Sequence, residues 1–101
     1  MGWRVHSEAV EELVNLPDKD RDFVRERIES RQNRDNDILN QRGVGISYDN
    51  HGEPVHYFKV EEGETAYRVF FDINGGEVVL LGIRERNDET YFNLREYTKR
   101  I

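Results

Sequence analysis

Residues 66–86 read AYRVFFDINGGEVVLLGIRER. Two runs rich in β-branched and aromatic residues flank Asn74-Gly75-Gly76, a strong hairpin signal because tight hairpin turns need positive φ at their central positions. The stretch therefore predicts two antiparallel strands, at 66–73 and 78–86. A third run, VHYFKV at 55–60, precedes them across a short turn at 61–65, which makes the three an antiparallel meander. Side chains alternate across a sheet with period two, so each strand divides into two faces. One face is predicted to carry Phe58, Val60, Tyr67, Val69, Phe71, Ile73, Val79, Leu81 and Ile83, with His56 as a packed histidine on the same side. The other carries Tyr57, Lys59, Arg68, Phe70, Asp72, Val78, Leu80, Gly82, Arg84 and Arg86.

Upstream, residues 3–6 predict a short strand, and Ser7 is the expected N-cap of a helix with Glu8, Glu11 and Glu12 near its positive end. Its apolar stripe is Val10, Leu13 and Val14, and it stops at Leu16-Pro17. A second helix is expected from Pro17 or Asp18 to about Gln32, with Phe23, Val24 and Ile28 facing the core and Asp18/Arg21, Asp22/Arg25 and Arg25/Glu29 spaced as helix-surface pairs. Residues 33–54, NRDNDILNQRGVGISYDNHGEP, are rich in Asn, Asp and Gly and read as a long loop, tethered by Ile38, Leu39, Val44 and Ile46. After Arg86, Asp88 is the expected cap of a short amphipathic C-terminal helix bearing Tyr91, Leu94, Arg95, Tyr97 and Thr98. The prediction is an α+β domain spanning residues 1–101, two N-terminal helices packed on an antiparallel sheet with a short C-terminal helix.

Composition narrows the chemistry. A chain of 101 residues and 12.0 kDa fits one small core, and 36% hydrophobic against 36% charged residues confines the apolar set to a few faces. With no cysteine there is neither a disulfide framework nor a thiol nucleophile, and three dispersed histidines make a poor metal set. No apolar run approaches the ~20 residues that cross a bilayer, so a soluble cytoplasmic protein is expected. The 15 Lys and Arg against 21 Asp and Glu leave a net charge of −6, which disfavours non-specific nucleic-acid binding. Only three of the basic residues are lysines (Lys19, Lys59 and Lys99), and an acidic, lysine-poor surface is what a salt-rich, halophilic cytoplasm favours.

Against that acidic background, Lys59, Arg68, Arg84 and Arg86 converge on one sheet face, the arrangement that phosphate recognition needs. Pairing with Glu61, Asp72 or Glu85 accounts for the same pattern structurally. The order strand, helix, helix, three-strand meander, short helix, with WRVHSEAVEELVNLP (3–17), AYRVFFDI (66–73) and LLGIRERNDETY (80–91), resembles the RelE/ParE toxin superfamily. The resemblance is closest to the RelE branch, the ribosome-dependent mRNA endonucleases of type II toxin-antitoxin systems.

The resemblance implies a reaction without metal or other cofactor, in which a 2′-hydroxyl attacks the adjacent phosphate. It places Lys59 at the position assisting the 2′-hydroxyl, Arg68 at the phosphate-stabilising arginine, Arg84 at the leaving-group arginine and Tyr91 at the substrate-orienting tyrosine. Tyr57 and Arg86 become RNA-binding residues. Tyr57 stands where many such toxins carry a second lysine. The implied partners are a cognate antitoxin protein and mRNA on the ribosome, with no membrane. A ParE-like gyrase-inhibiting toxin and a catalytically degenerate relative that only binds its antitoxin remain as alternatives. Structural roles are open for each residue: Tyr91 as an anchor of the last helix, Lys59 as an edge-strand charge, and Arg86 paired with Asp88 or Glu89. His51, in the long loop, is a remote candidate for proton transfer.

Overall fold

The computed structural model describes residues 2–34 and 37–101, so positions 35 and 36 of the expected loop, and Met1, lie outside the described residues. The chain runs β1 (Gly2–Val5), α1 (Ser7–Val14), α2 (Asp18–Gln32), a 3₁₀ turn (Ile38–Asn40), β2 (Val44–Tyr48), β3 (Pro54–Glu62), β4 (Thr65–Asn74), β5 (Glu77–Glu85) and α3 (Arg95–Thr98). This is an α+β fold with one five-stranded sheet in the order β1-β5-β4-β3-β2. The meander has the predicted order, but the sheet is mixed: β1 pairs parallel to β5, with Trp3 opposite Val78 and Val5 opposite Leu80. An all-antiparallel sheet was expected because the short connections constrain only consecutive strands; β1 reaches β5 through long-range contact.

Inside the expected long loop there is a strand. β2 pairs with β3 from Val44/Phe58 to Tyr48/Pro54, so Gly45 and Asn50-His51-Gly52 mark a strand and its turn. Glycine lowers strand propensity, yet Gly45 is required here: a Cβ at this position would overlap the Tyr57 side chain, which lies across β2 from the paired position on β3. Of the four expected tethers, Ile38 is buried and Val44 packs on the core edge, whereas Leu39 and Ile46 are exposed.

A β-bulge in β5 rearranges the predicted faces. Phe70 pairs with Gly82 but Phe71 pairs with Leu80, which leaves Leu81 as the extra residue. Alternation therefore reverses on the N-terminal side of the bulge. Val78 and Leu80 join Phe58, Val60, Tyr67, Val69, Phe71 and Ile83 under the N-terminal helices, while Val79 and Leu81, expected there, face the opposite side. On that opposite side they meet Val55, Phe70, Leu94 and Tyr97 in a second core. Every residue from Val78 to Ile83 is buried, as befits a strand covered on both faces.

The helical layer is close to expectation with two corrections. His6, not Ser7, caps α1, its Nδ1 accepting from the Glu8 amide at 3.1 Å. Ala9 and Leu13 are the inward residues, while Val10 and Val14 are exposed, so α1 packs on β5 through a face offset by about one position from the expected stripe. In α2, Val24 is fully buried and Phe23 and Ile28 pack beside it. Arg21 and Arg25 pair with Asp18 and Asp22 on its solvated side. His56 stacks on Phe71 with ring centroids 5.4 Å apart, the packed role read from its face.

The C-terminal stretch is mostly turns before the single helical turn of α3. Asp88 caps nothing there. Asn87 Oδ1 accepts from the Glu89 amide and Thr90 Oγ1 accepts from the Asn87 amide, so Asn87 and Thr90 organise this segment. Among the described residues no helix is long and apolar enough to cross a membrane.

Tyr97 stacks on Phe70 at 4.8 Å and lies directly over Gly82, where any Cβ would penetrate its ring. Gly82→Ala is expected to lower the urea midpoint by an amount equivalent to about 1–3 kcal/mol, the usual range for overpacking. An unchanged midpoint would show that Tyr97 does not seal this face in solution.

Candidate functional site

The register places the predicted cations in one row. Lys59 on β3 is directly opposite Arg68 on β4, which is directly opposite Arg84 on β5. Opposed residues project to the same side, so all three share the face that carries α3. Tyr57, two residues along β3, packs against Phe70 and against Tyr91 from the C-terminal segment, the latter at 5.3 Å between centroids. The structure thus brings Tyr57, Lys59, Arg68, Arg84 and Tyr91 together. Arg86 lies just past β5, where its amide donates to Ala66 and its side chain is exposed. His51 sits in the β2–β3 turn, exposed, with its amide donating to Asp49.

The members of the row differ sharply in availability. Arg68 is buried: its Nε donates to the Tyr91 hydroxyl at 3.1 Å and its Nη1 to Glu61 at 2.8 Å and to the Tyr67 carbonyl. Burial works against the Arg68 charge, but the Tyr91 and Glu61 contacts outweigh it and hold the guanidinium above its ordinary pKa. Burial also raises the Tyr57 phenol, assisted by its contact with Tyr91.

Arg84 is spent on its own chain. Its Nε donates to the Tyr97 hydroxyl at 3.0 Å, its Nη1 to the carbonyls of Thr90 (2.9 Å) and Phe92, and its Nη2 to the Asn93 carbonyl (3.3 Å) and Glu96 (3.0 Å). A guanidinium has five N–H donors, and each of these has an acceptor. Of the ion pairs foreseen as a structural account, Glu61 with Arg68 is present; among the described residues none forms with Asp72 or Glu85, and Arg84 pairs with Glu96, absent from the sequence reading. Lys59 is exposed and makes no ion pair among the described residues.

Three further networks hold the sheet and its flanking segments in place. Where β1 ends, the free edge of β5 is taken over by side chains: the Ile83 amide donates to Glu12 at 2.9 Å and the Leu81 carbonyl accepts from Arg100 at 2.6 Å. Arg100 also pairs with Glu8, Glu12 and Glu96, joining α1 to the C-terminal segment. On the other flank, buried Asp49 in the β2–β3 turn accepts from Thr98 Oγ1 at 2.6 Å and from the His51 and Glu53 amides. Arg31 of α2 secures the base of β2, donating to the carbonyls of Arg42 and Lys59. Burial, with Arg34 and Arg27 nearby, lowers its pKa to about 10.

Sequence reading missed Glu96, Tyr97 and Asp49 as organisers of the site, because their partners lie 12, 13 and 49 positions away for the Arg84 and Thr98 contacts. Among the described residues no group of His, Cys, Asp and Glu converges as a metal-ligand set.

Removing the Arg84 side chain takes a donor from the part-buried Tyr97 hydroxyl and Thr90 carbonyl and cuts the cross-links to Phe92, Asn93 and Glu96. Arg84→Ala is thus expected to cost about 2–3 kcal/mol of stability and to speed hydrogen exchange across residues 90–98. Unaltered exchange in that segment would show that Arg84 does not fasten it. The Thr98 hydroxyl, with the two turn amides, lowers the Asp49 pKa to about 2, below the ordinary carboxylate value of about 3.9. The fold therefore favours ionised Asp49, and this part of the stability is present above about pH 4 and lost as pH falls toward about 2. Urea titrations at stepped pH should show a shallower acid-side slope for Asp49→Asn, and an identical slope would exclude the linkage. Comparison of the chain with protein-family models, with curated proteins and with solved structures finds no match.

Proposed function

We propose that this protein is a RelE-like type II toxin, an mRNA endonuclease acting on the ribosome. The observation that carries the reading is the cross-strand row Lys59–Arg68–Arg84 with Tyr57 and Tyr91 beside it. Three cations aligned on adjacent strands in an acidic chain match the charge pattern of a transferring phosphate, and the aromatic pair offers a surface for a base. The order of helices and meander strands supports the same reading, since it is the order in which the sequence resembles that branch.

In this reading the proton lost by the 2′-hydroxyl balances the one gained at O5′, so the net reaction consumes no acid, base or cofactor. The 2′-hydroxyl loses its proton while its oxygen bonds to phosphorus, and the P–O5′ bond breaks as the leaving oxygen gains a proton. The product ends are a 2′,3′-cyclic phosphate and a 5′-hydroxyl. Lys59, exposed at the end of the row, is assigned to the developing 2′-oxyanion, and Arg68, buried and held by Tyr91 and Glu61, to the equatorial phosphate oxygens once those contacts open to admit RNA. Arg84 serves the leaving oxygen only when residues 90–96 release its donors.

That last requirement favours a second reading, a family member that binds its antitoxin without cleaving RNA. The two separate on purified protein added to programmed ribosomes over a range of salt, with mRNA ends mapped. The expected result is cleavage within the A-site codon, reduced about 10²- to 10³-fold by Lys59→Ala with no change in the denaturation midpoint. Full-rate cleavage by this variant would remove Lys59 from the reaction. Intact mRNA with the wild-type protein would leave the binding-only reading.

A further inference from the structure

We propose that the cleft between the β2–β3 turn and the turn preceding α3 is a binding site for one unpaired base of single-stranded RNA, with Tyr48 and Phe92 as its stacking walls. The inference rests on the RNA-directed reading above and deepens it by adding a base-recognition subsite beside the cation row.

The cleft measures about 320 Å³ and is lined by Tyr48, Asp49, Asn50, Tyr91, Phe92 and Asn93, with Leu94 at its floor. Tyr48 is 59% exposed and Phe92 65% exposed, although the fold has two cores in which to bury aromatic rings. Both rings line the cleft and are largely open to solvent. Aromatic rings held open to solvent on a turn-built surface suit the π-face of a base, and such stacking tolerates any base identity.

The polar lining fits the same ligand. Asn50 and Asn93 are exposed, and neither side-chain amide has a hydrogen-bond partner among the described residues, so donors and acceptors for a base edge remain available. Asn93 has φ +49°, a left-handed conformation that asparagine tolerates better than most residues, and its carbonyl is held by Arg84. The rim is therefore pinned to the cation row. Asp49, the one acid among the lining residues, is no obstacle to a nucleotide, because its oxygens are occupied by Thr98, two amides and nearby Arg95.

Tyr91 connects cleft and row. Its ring lines the cleft while its hydroxyl accepts from Arg68 Nε at 3.1 Å. A base in the cleft would thus touch the residue whose hydroxyl holds Arg68, the guanidinium assigned above to phosphate.

The test uses fluorescently labelled 2′-O-methyl oligoribonucleotides, which cannot be cleaved by 2′-hydroxyl attack, and abasic oligomers of the same length, with affinity read by anisotropy at several salt concentrations. Tyr48→Ala and Phe92→Ala are expected to weaken binding of the base-containing oligomers about 5- to 100-fold each. Binding of the abasic oligomers should be unchanged, and Phe92→Trp should restore affinity. Because both rings are exposed, circular dichroism should show the variants folded as the wild type is.

Equal affinity of variant and wild type would overturn the proposal, as would an equal loss on abasic oligomers or a wild-type protein that binds neither probe. The catalytic reading fails independently, through intact mRNA on programmed ribosomes. Base-dependent binding without cleavage would keep the cleft and remove the nuclease, whereas Lys59-dependent cleavage with neutral Tyr48 and Phe92 variants would do the reverse.

Discussion

One extra residue in β5 decides which side chains meet in this protein. Leu81 has no partner of its own on β4, and its insertion reverses the facing of the half-strand that precedes it. In a regular, unbulged pairing Val79 and Leu81 would lie under the N-terminal helices and Val78 and Leu80 on the far side. With the extra residue, both sides of β5 have apolar residues at the right positions, Val78 and Leu80 for one core and Val79 and Leu81 for the other. The second core gives Leu94 and Tyr97 a surface to bury against, and so draws the C-terminal segment across the sheet. The groups exposed where β1 ends are satisfied by Glu12 and Arg100, which ties the same segment to α1.

Covering that face changes the electrostatics of the cation row. Three basic side chains in line repel one another, and the protein offsets this with Glu61 beside Arg68 and Glu96 beside Arg84. The carbonyls at the end of the 87–94 turns supply further acceptors to Arg84. Arg68 is thereby buried, Arg84 is partly covered and tied at every donor, and Lys59 keeps its contact with solvent. Rigidity favours preorganised stabilisation of charge, whereas saturation of every Arg84 donor opposes direct contact with a ligand. Both properties arise from the same C-terminal contacts, so the position of residues 90–98 governs what the face can bind.

Much of the architecture was legible in local pattern. The Asn74-Gly75-Gly76 turn, the meander strands and α2 follow from turn chemistry and periodicity, each of which acts over a few residues. β2 was not legible, since Gly43, Gly45 and nearby Asn and Asp residues carry a loop's composition. Its strand state depends on pairing with β3 and on Gly45 making room for Tyr57. The cation face was legible through alternation for Lys59, Arg68 and Arg84, which all lie on the C-terminal side of the bulge or on unbulged strands. Val78 to Leu81 were assigned to the wrong sides because alternation carries no mark of an inserted residue.

The sequence alone therefore determined the elements of the meander, the excess of acid over base and the convergence of three cations, because these depend on neighbours along the chain. Tertiary structure decided that β1 lies parallel to β5, that α3 and its preceding turns cover the cation face, and that Tyr48 and Phe92 border a common cleft. Those outcomes depend on contacts between distant residues: Tyr97 over Gly82, Thr98 on Asp49, and Arg84 on the carbonyls of Thr90, Phe92 and Asn93. Each such contact exists only once the sheet has brought its partners together, and no local propensity encodes it.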